Sequence, residues 1–257
     1  MRTRLRAIAH ETVAIAERGS CDGIPIAVAP AVAGTRLHLP EEELSLPAQG
    51  EPPTVEVTNE STLEATRRLG GDLACLVFAS ARNPGGGFLN GAQAQEESVA
   101  RASALYPCLL AAGDFYAHHR AHEDLTYSDR VIYSPNVPVF RDDEGNLLAE
   151  PYEVSFLTAA APNLSAIQRN QPGRAADVPA VLERRAVRVL RLAAAHGHRR
   201  LVLGAWGCGV FGNDPATVAQ AFRTALRDNR FFDHVVFAVL DRQSGTPTLT
   251  AFVDALT

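Results

Sequence analysis

The sequence predicts an α/β protein in which helices cover both faces of a central sheet, and three observations lead to this fold class. Between residues 55 and 240, short apolar runs alternate with segments of helical periodicity. Residues 73–79, LACLVFA, form an unbroken apolar run, as expected of a strand buried on both faces. The 257-residue chain is 46% hydrophobic and 21% charged, which is ordinary for a globular protein with a sizeable core.

The beginning of the chain differs in character from the rest. The apolar positions of residues 1–19 recur at helical spacing, and residues 24–29 form a short apolar run that predicts a strand. Residues 41–53 are acidic and broken by prolines, which predicts an exposed connection. We therefore expect residues 1–50 to be an N-terminal extension packed on a core of residues 51–257, not a separate domain.

Within this core, each element is predicted from its own periodicity and flanking residues. Strands are predicted at residues 55–57, 73–79, 130–133, 152–159, 201–205 and 234–240. Helices are predicted at residues 61–69, 94–112, 177–196 and 215–227. Ser61 and Asp214 directly precede two of these helices, and Pro215 takes the first helical position of the second, so we expect both side chains to act as N-caps.

Composition excludes several classes of function. All 24 basic residues are arginine, the net charge is −5, and no basic stripe is visible, so direct binding to DNA is not expected. No apolar run approaches the roughly 20 residues that cross a bilayer, so no membrane association is expected. The four cysteines are widely spaced without a CxxC pair, which favours reduced thiols, a cytoplasmic location and no zinc site.

A glycine-rich segment follows the predicted buried strand. Residues 83–97 read NPGGGFLNGAQAQEE and lead into a predicted helix. Three successive glycines carry a cost in conformational entropy, and they are useful where a backbone must approach a ligand closely. A glycine loop that leads into a helix N-terminus is a favourable anion site. The alternative interpretation of this segment alone is an ordinary flexible loop.

A second glycine-rich segment, residues 204–215 or GAWGCGVFGNDP, also lies between a predicted strand and a helix. Phe211 would be an aromatic side chain on a glycine loop, suited either to stacking against a planar ligand or to covering the edge of the core. Ligands of open α/β sheets bind outside the carboxyl ends of strands. The two loops together therefore predict a site that closes over one diphosphate from opposite sides.

The first segment ends in Gln95-Glu96-Glu97. Adjacent residues of a helix point in different directions, so the two carboxylates cannot have the same role. One can hold a ribose hydroxyl while the other faces the reacting bond. Considered alone, two acidic residues in a first helical turn are better explained by the helix dipole.

Taken together, these motifs resemble a known family. The glycine triplet followed by Gln-Glu-Glu resembles the signature of the poly(ADP-ribose) glycohydrolases, and GGGFLNGAQAQEE is similar to their compact bacterial form. GAWGCGVFGNDP is similar to the diphosphate-binding loop of macrodomains. The resemblance covers roughly residues 55–245, and the N-terminal helix is also typical of the bacterial branch.

The resemblance implies a three-layer α/β/α macrodomain with a mixed central sheet and an N-terminal helical extension. It implies an enzyme that binds ADP-ribose and poly(ADP-ribose) and hydrolyses ribose–ribose O-glycosidic bonds, from chain ends, releasing ADP-ribose. No cofactor and no metal ion are implied. A monomeric state and a connection with the DNA damage response are further expectations of the same resemblance.

Residue roles follow from the resemblance position by position. Glu97 would be the catalytic acid, Glu96 would bind the ribose hydroxyls, and Asn83 would contact the same ribose. Gly85, Gly86 and Gly87 would bind the diphosphate and the proximal ribose through their amides, with Gln95 also among the substrate-binding residues. The other side of the diphosphate would be lined by Gly207, Cys208, Gly209, Val210, Gly212 and Asn213, with Phe211 stacked near the terminal adenosine. The residue that reads adenine stays open, with candidates at Thr58, Asn59 and Glu60.

The chemistry requires Glu97 to be protonated at the start, because the leaving hydroxyl needs a proton. The diphosphate can stabilise the oxocarbenium-like centre that develops at the anomeric carbon. Glu97 then accepts a proton from the attacking water. This design departs from the usual glycosidase arrangement of two separated carboxylates.

Other features are interpreted without a catalytic role. Two groups are expected to be solvated helix surfaces, not a metal site or a polymer-binding face: His118, His119 and His122, and Arg184, Arg185, Arg188 and Arg191. Cys208 has no partner at a diagnostic spacing that would make it a nucleophile, and Trp206 is expected in the core.

Three other functions share features with this sequence. A module that binds ADP-ribose without cutting it, or a hydrolase of mono-ADP-ribosylated protein, would share the fold, but the Gln-Glu-Glu motif favours cleavage of the polymer. A P-loop nucleotide-binding protein is excluded, because no lysine exists to complete its motif.

Overall fold

The computed structural model describes residues 1–257 and has a seven-stranded mixed sheet between two layers of helices. The strands are β1 (Ser20–Cys21), β2 (Ile24–Pro25), β3 (Arg36–His38), β4 (Thr54–Thr58), β5 (Ala74–Phe78), β6 (Val131–Arg141), β7 (Leu147–Ala159), β8 (Arg200–Gly204) and β9 (His234–Ala238). The helices are α1 (Arg2–Arg18), α2 (Val28–Gly34), α3 (Thr62–Leu69), α4 (Gln95–Ala102), α5 (Leu105–Ala111), α6 (Asp114–Ala121), α7 (Leu164–Asn170), α8 (Val178–Ala195), α9 (Pro215–Asp228) and α10 (Pro247–Leu256). None of these helices combines the length and the apolar character needed to cross a membrane.

The main sheet has the strand order β3-β6-β7-β5-β8-β9-β4. Strands β7, β5, β8, β9 and β4 are parallel, whereas β3 and β6 are antiparallel to their neighbours. Strand β5 is buried on both faces, since Cys75 and Val77 join one apolar cluster while Ala74 and Leu76 join the other. The predicted three-layer α/β/α fold is therefore confirmed, and the carboxyl ends of the parallel strands share one edge.

Two predicted helix caps are confirmed. Ser61 Oγ accepts a hydrogen bond from the Glu64 amide at 3.0 Å, and the Glu64 carboxylate accepts the Ser61 amide at 2.7 Å, which completes a capping box. Asp214 accepts the amide of Thr217 at 2.8 Å at the start of α9.

Several elements differ from prediction. The strand predicted at residues 24–29 is wrong beyond Pro25, because the chain turns into helix α2 at Val28. The single helix predicted at residues 94–112 is divided at Ser103, which is extended and bridges to Val139 of β6. Strand β3 and helices α7 and α10 were not predicted at all.

Of the histidines and arginines expected on solvated helix surfaces, some are exposed to solvent and others are buried. Arg185 is fully buried, and it donates to Asp129 at 2.9 Å and to the carbonyl of Ala160 at 2.7 Å. His119 is also buried, with its ring bonded to Ser128 Oγ at 2.8 Å. Both predictions are wrong for these residues, because buried partners distant in sequence satisfy the polar groups.

Residues of the N-terminal segment contact the core directly. Strand β3 pairs with β6 as an edge of the main sheet. Thr12 of α1 is buried, and its hydroxyl donates to the carbonyl of Arg101 at 2.6 Å and accepts Nε of Arg141 at 3.0 Å. The division of the chain into residues 1–50 and 51–257 stays a prediction.

We predict that the protein loses stability as the pH falls from about 6.5 to about 4. Burial lowers the pKa of His119 to about 4, and burial together with the charges of His38 and His198 lowers the pKa of His196 to about 4. The unfolded chain, with histidine pKa values of about 6.5, therefore binds protons first as the pH drops. His119 alone should contribute a loss on the order of 3 kcal/mol across this window.

Urea denaturation at pH values from 7 to 4.5 measures this loss. His196→Asn should flatten the dependence of unfolding free energy on pH, whereas His10→Gln, at an exposed position of α1, should leave it unchanged. A wild-type unfolding free energy that is constant between pH 6.5 and 4.5 would contradict the prediction.

Candidate active site

A cleft of about 1020 Å³ opens at the carboxyl ends of β5, β8, β9 and β4. Its walls come from the segments that follow these strands, together with the tip of the β6–β7 hairpin. Its volume is in the range of a site for a nucleotide-sized ligand, and its location is the one that open α/β sheets use for ligands.

The first turn of α4 is fixed to the sheet by Gln95. Its amide oxygen accepts the backbone N–H of Phe78 at 2.9 Å, and its nitrogen donates to the carbonyl of Leu76 at 2.8 Å and to Thr62 Oγ1 at 3.2 Å. The amide is therefore bound to protein on both sides. Gln95, expected among the substrate-binding residues, has the contacts of a residue that positions the two glutamates after it.

Glu96 points inward and is only 2% exposed. Its Oε2 accepts the amide of Ser80 at 2.6 Å, while its buried Oε1 has no hydrogen-bond partner. Burial, and to a lesser extent the neighbouring Glu97 charge, raise the pKa of Glu96 well above its usual range, although the amides of Ser80 and Gly85 oppose the shift. This carboxyl group therefore takes up a proton readily.

Glu97 is half-buried and lines the cleft. Its Oε1 accepts the amide of Gly87 at 3.0 Å. One helical turn later, the buried Arg101 donates to the carbonyl of Ala92 at 2.7 Å, and its positive charge interacts favourably with Glu97. The loop and the helix thus hold Glu97 from two sides, with one carboxylate oxygen bonded to the loop.

The glycine triplet lies against the carboxylates of Glu96 and Glu97. Gly85 and Gly86 have φ of +68° and +59°, and a Cβ at Gly86 would collide with Oε1 of Glu97. The N–H of Gly87 binds Glu97, that of Gly86 donates to Asn83 O at 3.0 Å, and that of the buried Gly85 faces Glu96. The expectation that all three amides bind a diphosphate is therefore not met at Gly86 and Gly87, whose N–H groups already have internal acceptors.

The second glycine loop has free amides. The N–H groups of Gly209, Val210 and Phe211 follow one another along the chain and have no hydrogen-bond partner within the protein. All three residues line the cleft, as does Gly207, which has a φ of +74° and also an unpaired N–H. Successive free amides form a concave site for an anion. This loop therefore has the free donors of an anion site at the edge of the sheet where the sequence predicted one.

Three residues expected to line the diphosphate do not line the cleft. Asn213 is buried and bonds through Nδ2 to Pro162 O at 2.9 Å. Burial, together with the charge of Asp214, raises the pKa of the Cys208 thiol to about 12, so Cys208 is unsuited to be a nucleophile. Gly212 packs against Ser165. Glycine spacing did not distinguish the residues of this loop that line the cleft from those that contact the rest of the protein.

Asn83 and Phe211, which the resemblance places against the substrate, both line the cleft. Asn83 is exposed, and its side-chain amide makes no hydrogen bond within the protein. The Phe211 ring is half-buried and lies 6.1 Å from the ring of Tyr127, centre to centre. One aromatic face is thus supported by protein at the rim of the cleft.

Of the three candidates for reading adenine, only Glu60 lines the cleft. Burial alone would raise the pKa of Glu60, but hydrogen bonds from Arg68 and Thr58 outweigh it and hold the pKa below its usual value. Asn59 instead bonds to the backbone of Asp241, with its oxygen accepting the Asp241 N–H at 2.9 Å.

Sequence reasoning missed two walls of the cleft, formed by Leu240, Asp241, Arg242 and Gln243 after β9 and by Asp143 and Glu144 at the hairpin tip. The first group follows the end of a predicted parallel strand, so the strand-end rule could have found it. The position of the hairpin tip could not be predicted from the local sequence, because only the tertiary packing of β6 and β7 brings Asp143 and Glu144 to the cleft.

The fold and the cleft define the class of protein: a macrodomain with two glycine loops and a pair of adjacent glutamates at one ligand site. The sequence model of the family described as "Microbial-type PARG, catalytic domain" matches residues 4–142, and the chain belongs to this family. The resemblance seen in the motifs is thereby confirmed. A comparison with curated proteins gave no significant match.

Solved structures agree over almost the whole chain. Poly(ADP-ribose) glycohydrolase from Thermomonospora curvata is 52% identical, covers 99% of this chain and 100% of its own, and has a TM-score of 0.90. The Thermomonospora curvata protein bound to the inhibitor ADP-HPD is 52% identical over 98% of this chain and 99% of its own, with a TM-score of 0.89. The Deinococcus radiodurans protein in complex with ADP-ribose is 47% identical over 89% and 96%, with a TM-score of 0.82.

We predict that Gly86→Ala disturbs the glutamate pair. The new Cβ would stand in a left-handed backbone conformation and would push against the Glu97 carboxylate, with a cost of about 1–2 kcal/mol from the backbone alone. Unfolding free energy measured in urea should fall, and hydrogen exchange of the Gly87 amide should accelerate as its bond to Glu97 breaks.

Gly173→Ala is the matched control, since a Cβ there meets nothing within 4 Å and its φ is not positive. Equal stability and equal Gly87 exchange in both variants would mean that the close approach at Gly86 is unimportant.

Proposed function

We propose that this protein hydrolyses the ribose–ribose O-glycosidic bonds of poly(ADP-ribose) and releases ADP-ribose. The observation that carries the proposal is the glutamate pair, held by the sheet and the glycine triplet, in one cleft with a row of free amides. The relatives bound to ADP-ribose and to ADP-HPD support it.

Substrate binding would use the cleft along its length. The free amides of Gly209, Val210 and Phe211 suit the diphosphate, because they offer donors without a competing protein acceptor. The supported ring of Phe211 can stack against the adenosine. Glu60, kept ionised by Arg68, can accept a hydrogen bond from the amino group of adenine.

Glu96 would bind the ribose next to the scissile bond. Its buried Oε1 lacks a partner, and such an atom has a strong tendency to bind a hydroxyl group. The unpaired side-chain amide of Asn83 can contact the same sugar from the rim. The ribose would then be held between two polar groups whose other contacts fix them in place.

Glu97 would be the acid. The carboxyl group donates its proton to the leaving ribose oxygen as the bond to the anomeric carbon breaks, an effect worth roughly 10²–10⁴-fold in rate. The carboxylate that results then takes a proton from the water that adds to the anomeric carbon, so that Glu97 regains its starting form. The diphosphate would stabilise the positive charge that develops there.

Several finer points are part of the proposal. Membership of the family supports four of them: attack from chain ends, a monomeric state, the absence of a DNA or membrane partner, and a role in the DNA damage response. A cytoplasmic location is supported by the four cysteines, all of which are free thiols. The alternatives are an ADP-ribose reader and a mono-ADP-ribosyl hydrolase.

We expect Glu97→Gln to abolish release of ADP-ribose from poly(ADP-ribose) while keeping the affinity for ADP-ribose, because the substitution removes the proton but keeps the shape. The measurement is digestion of the polymer with the products separated by size, beside calorimetric titration with ADP-ribose. Glu183→Gln, at an exposed position of α8, is the control.

Wild-type binding without release would make the protein a reader, and release only from mono-ADP-ribosylated protein would favour the second alternative. Turnover by Glu97→Gln at the wild-type rate would remove Glu97 from the catalytic role. Long oligomers at early times would exclude attack from chain ends.

A further inference from the structure

The charge of the cleft is unfavourable for a long polyanion. Its acidic side chains are Glu60, Glu96, Glu97, Asp143, Glu144 and Asp241, and its one basic side chain is Arg242. Free amides can hold one diphosphate here, but this lining repels further phosphate groups. Attraction for the rest of a polymer must therefore come from outside the cleft.

The loop that carries the glycine triplet is flanked by exposed arginines at both of its ends. Arg120 of α6 donates through Nη1 to the carbonyl of Arg82 at 2.7 Å, and Arg2 of α1 donates through Nε to the carbonyl of Asn90 at 3.1 Å. Arg82 itself is exposed and adjacent to Asn83, which lines the cleft. None of the three guanidinium groups forms an ion pair with a carboxylate.

These cations retain most of their capacity to bind. A guanidinium group has five N–H donors, and Arg2 and Arg120 each use only one on the loop backbone. The backbone bond fixes the planar group at the rim, while the remaining donors stay available for a phosphate. Other exposed arginines of this chain are instead neutralised by nearby acids, as Arg199 is by Asp233 and Arg227 is by Asp228.

The position of the loop relates these arginines to the reacting bond. Glu97, the proposed acid, is bonded to Gly87 in the middle of the same loop. With the terminal unit in the cleft, the leaving oxygen at Glu97 belongs to the next ADP-ribose unit of the chain. That unit must therefore emerge beside residues 82–90, the segment that the arginines flank.

We propose that Arg2, Arg82 and Arg120, the rim arginines, form a second anion site that binds the diphosphate of the ADP-ribose unit on the leaving side of the scissile bond. This inference rests on the proposed function. The site contacts polymer but not free ADP-ribose, so it selects chains over the monomer that the reaction releases.

The test compares Arg82→Gln, Arg2→Gln and Arg120→Gln with wild type on purified poly(ADP-ribose). Each variant should raise KM about two- to fivefold, as expected when one exposed ion pair is removed, with kcat and the Kd for ADP-ribose unchanged. The slope of log kcat/KM against log salt should become less steep by about 0.7 for each phosphate group that the variant no longer binds.

Two further variants separate charge from structure. Arg223→Gln removes an exposed arginine of α9 that forms no ion pair, and it should leave KM and the salt slope as in wild type. Arg120→Lys keeps the charge at the rim, so its KM should lie much closer to that of wild type than the KM of Arg120→Gln does. The melting temperature of every variant shows whether the loop still folds.

The outcomes test the rim arginines separately from the proposed hydrolysis of poly(ADP-ribose). Wild type that cleaves polymer, with all three variants at wild-type KM and salt slope, would overturn the rim site and leave the function intact. Weaker binding of single-stranded DNA by the variants, without a change in KM for polymer, would also overturn it. Absence of cleavage by wild type would instead refute the proposed function.

Discussion

The site depends on the clamp between the Gln95 amide and the end of strand β5. Both the donor and the acceptor of the amide are used on backbone groups of Leu76 and Phe78, so α4 cannot rotate or slide relative to the sheet. Successive residues of a helix point about 100° apart. Once Gln95 is fixed, Glu96 must turn into the core and Glu97 into the cleft. Two chemically identical side chains thereby acquire different burial and different hydrogen-bond partners.

The same constraint explains the two glycine loops, which have different tasks. The loop before α4 must approach two carboxylates closely, so it lacks Cβ atoms at Gly86 and Gly87 and directs its amides to Glu97 and inward. The loop after β8 has no internal anion to satisfy, so the amides from Gly209 to Phe211 stay unpaired. One loop therefore positions Glu97, and the other offers free amides that suit an anion.

The sequence predicted features that local physics determines. Strand β5 and the caps at Ser61 and Asp214 follow from apolar runs and from side chains adjacent to helix starts. The pair Glu96-Glu97 and both glycine loops were recognised from spacing, and the cleft joins them. Each of these features depends on residues close together in the chain, which pattern alone can specify.

What the sequence did not predict depends on partners distant along the chain. The buried guanidinium of Arg185 requires the carboxylate of Asp129, 56 residues away, and no sequence periodicity predicts that pair. The orientation of the amides in the glycine triplet depends on the positions of the Glu96 and Glu97 carboxylates in the folded protein. Asn213 and Cys208 do not line the cleft, because they contact Pro162 and the core instead. Tertiary packing decided each of these cases, not the motif.

The scarcity of cations in the cleft follows from the chemistry proposed for it. A guanidinium beside the anomeric carbon would bind a diphosphate well, but it would oppose the positive charge that develops as the bond breaks. Backbone amides bind the diphosphate as neutral dipoles and leave its negative charge available to that centre. The acidic lining, unfavourable for a polyanion at long range, then favours the transition state at short range. Cations are useful only where the rest of a chain passes, outside the walls, and at the loop rim Arg2, Arg82 and Arg120 lie unpaired with acids.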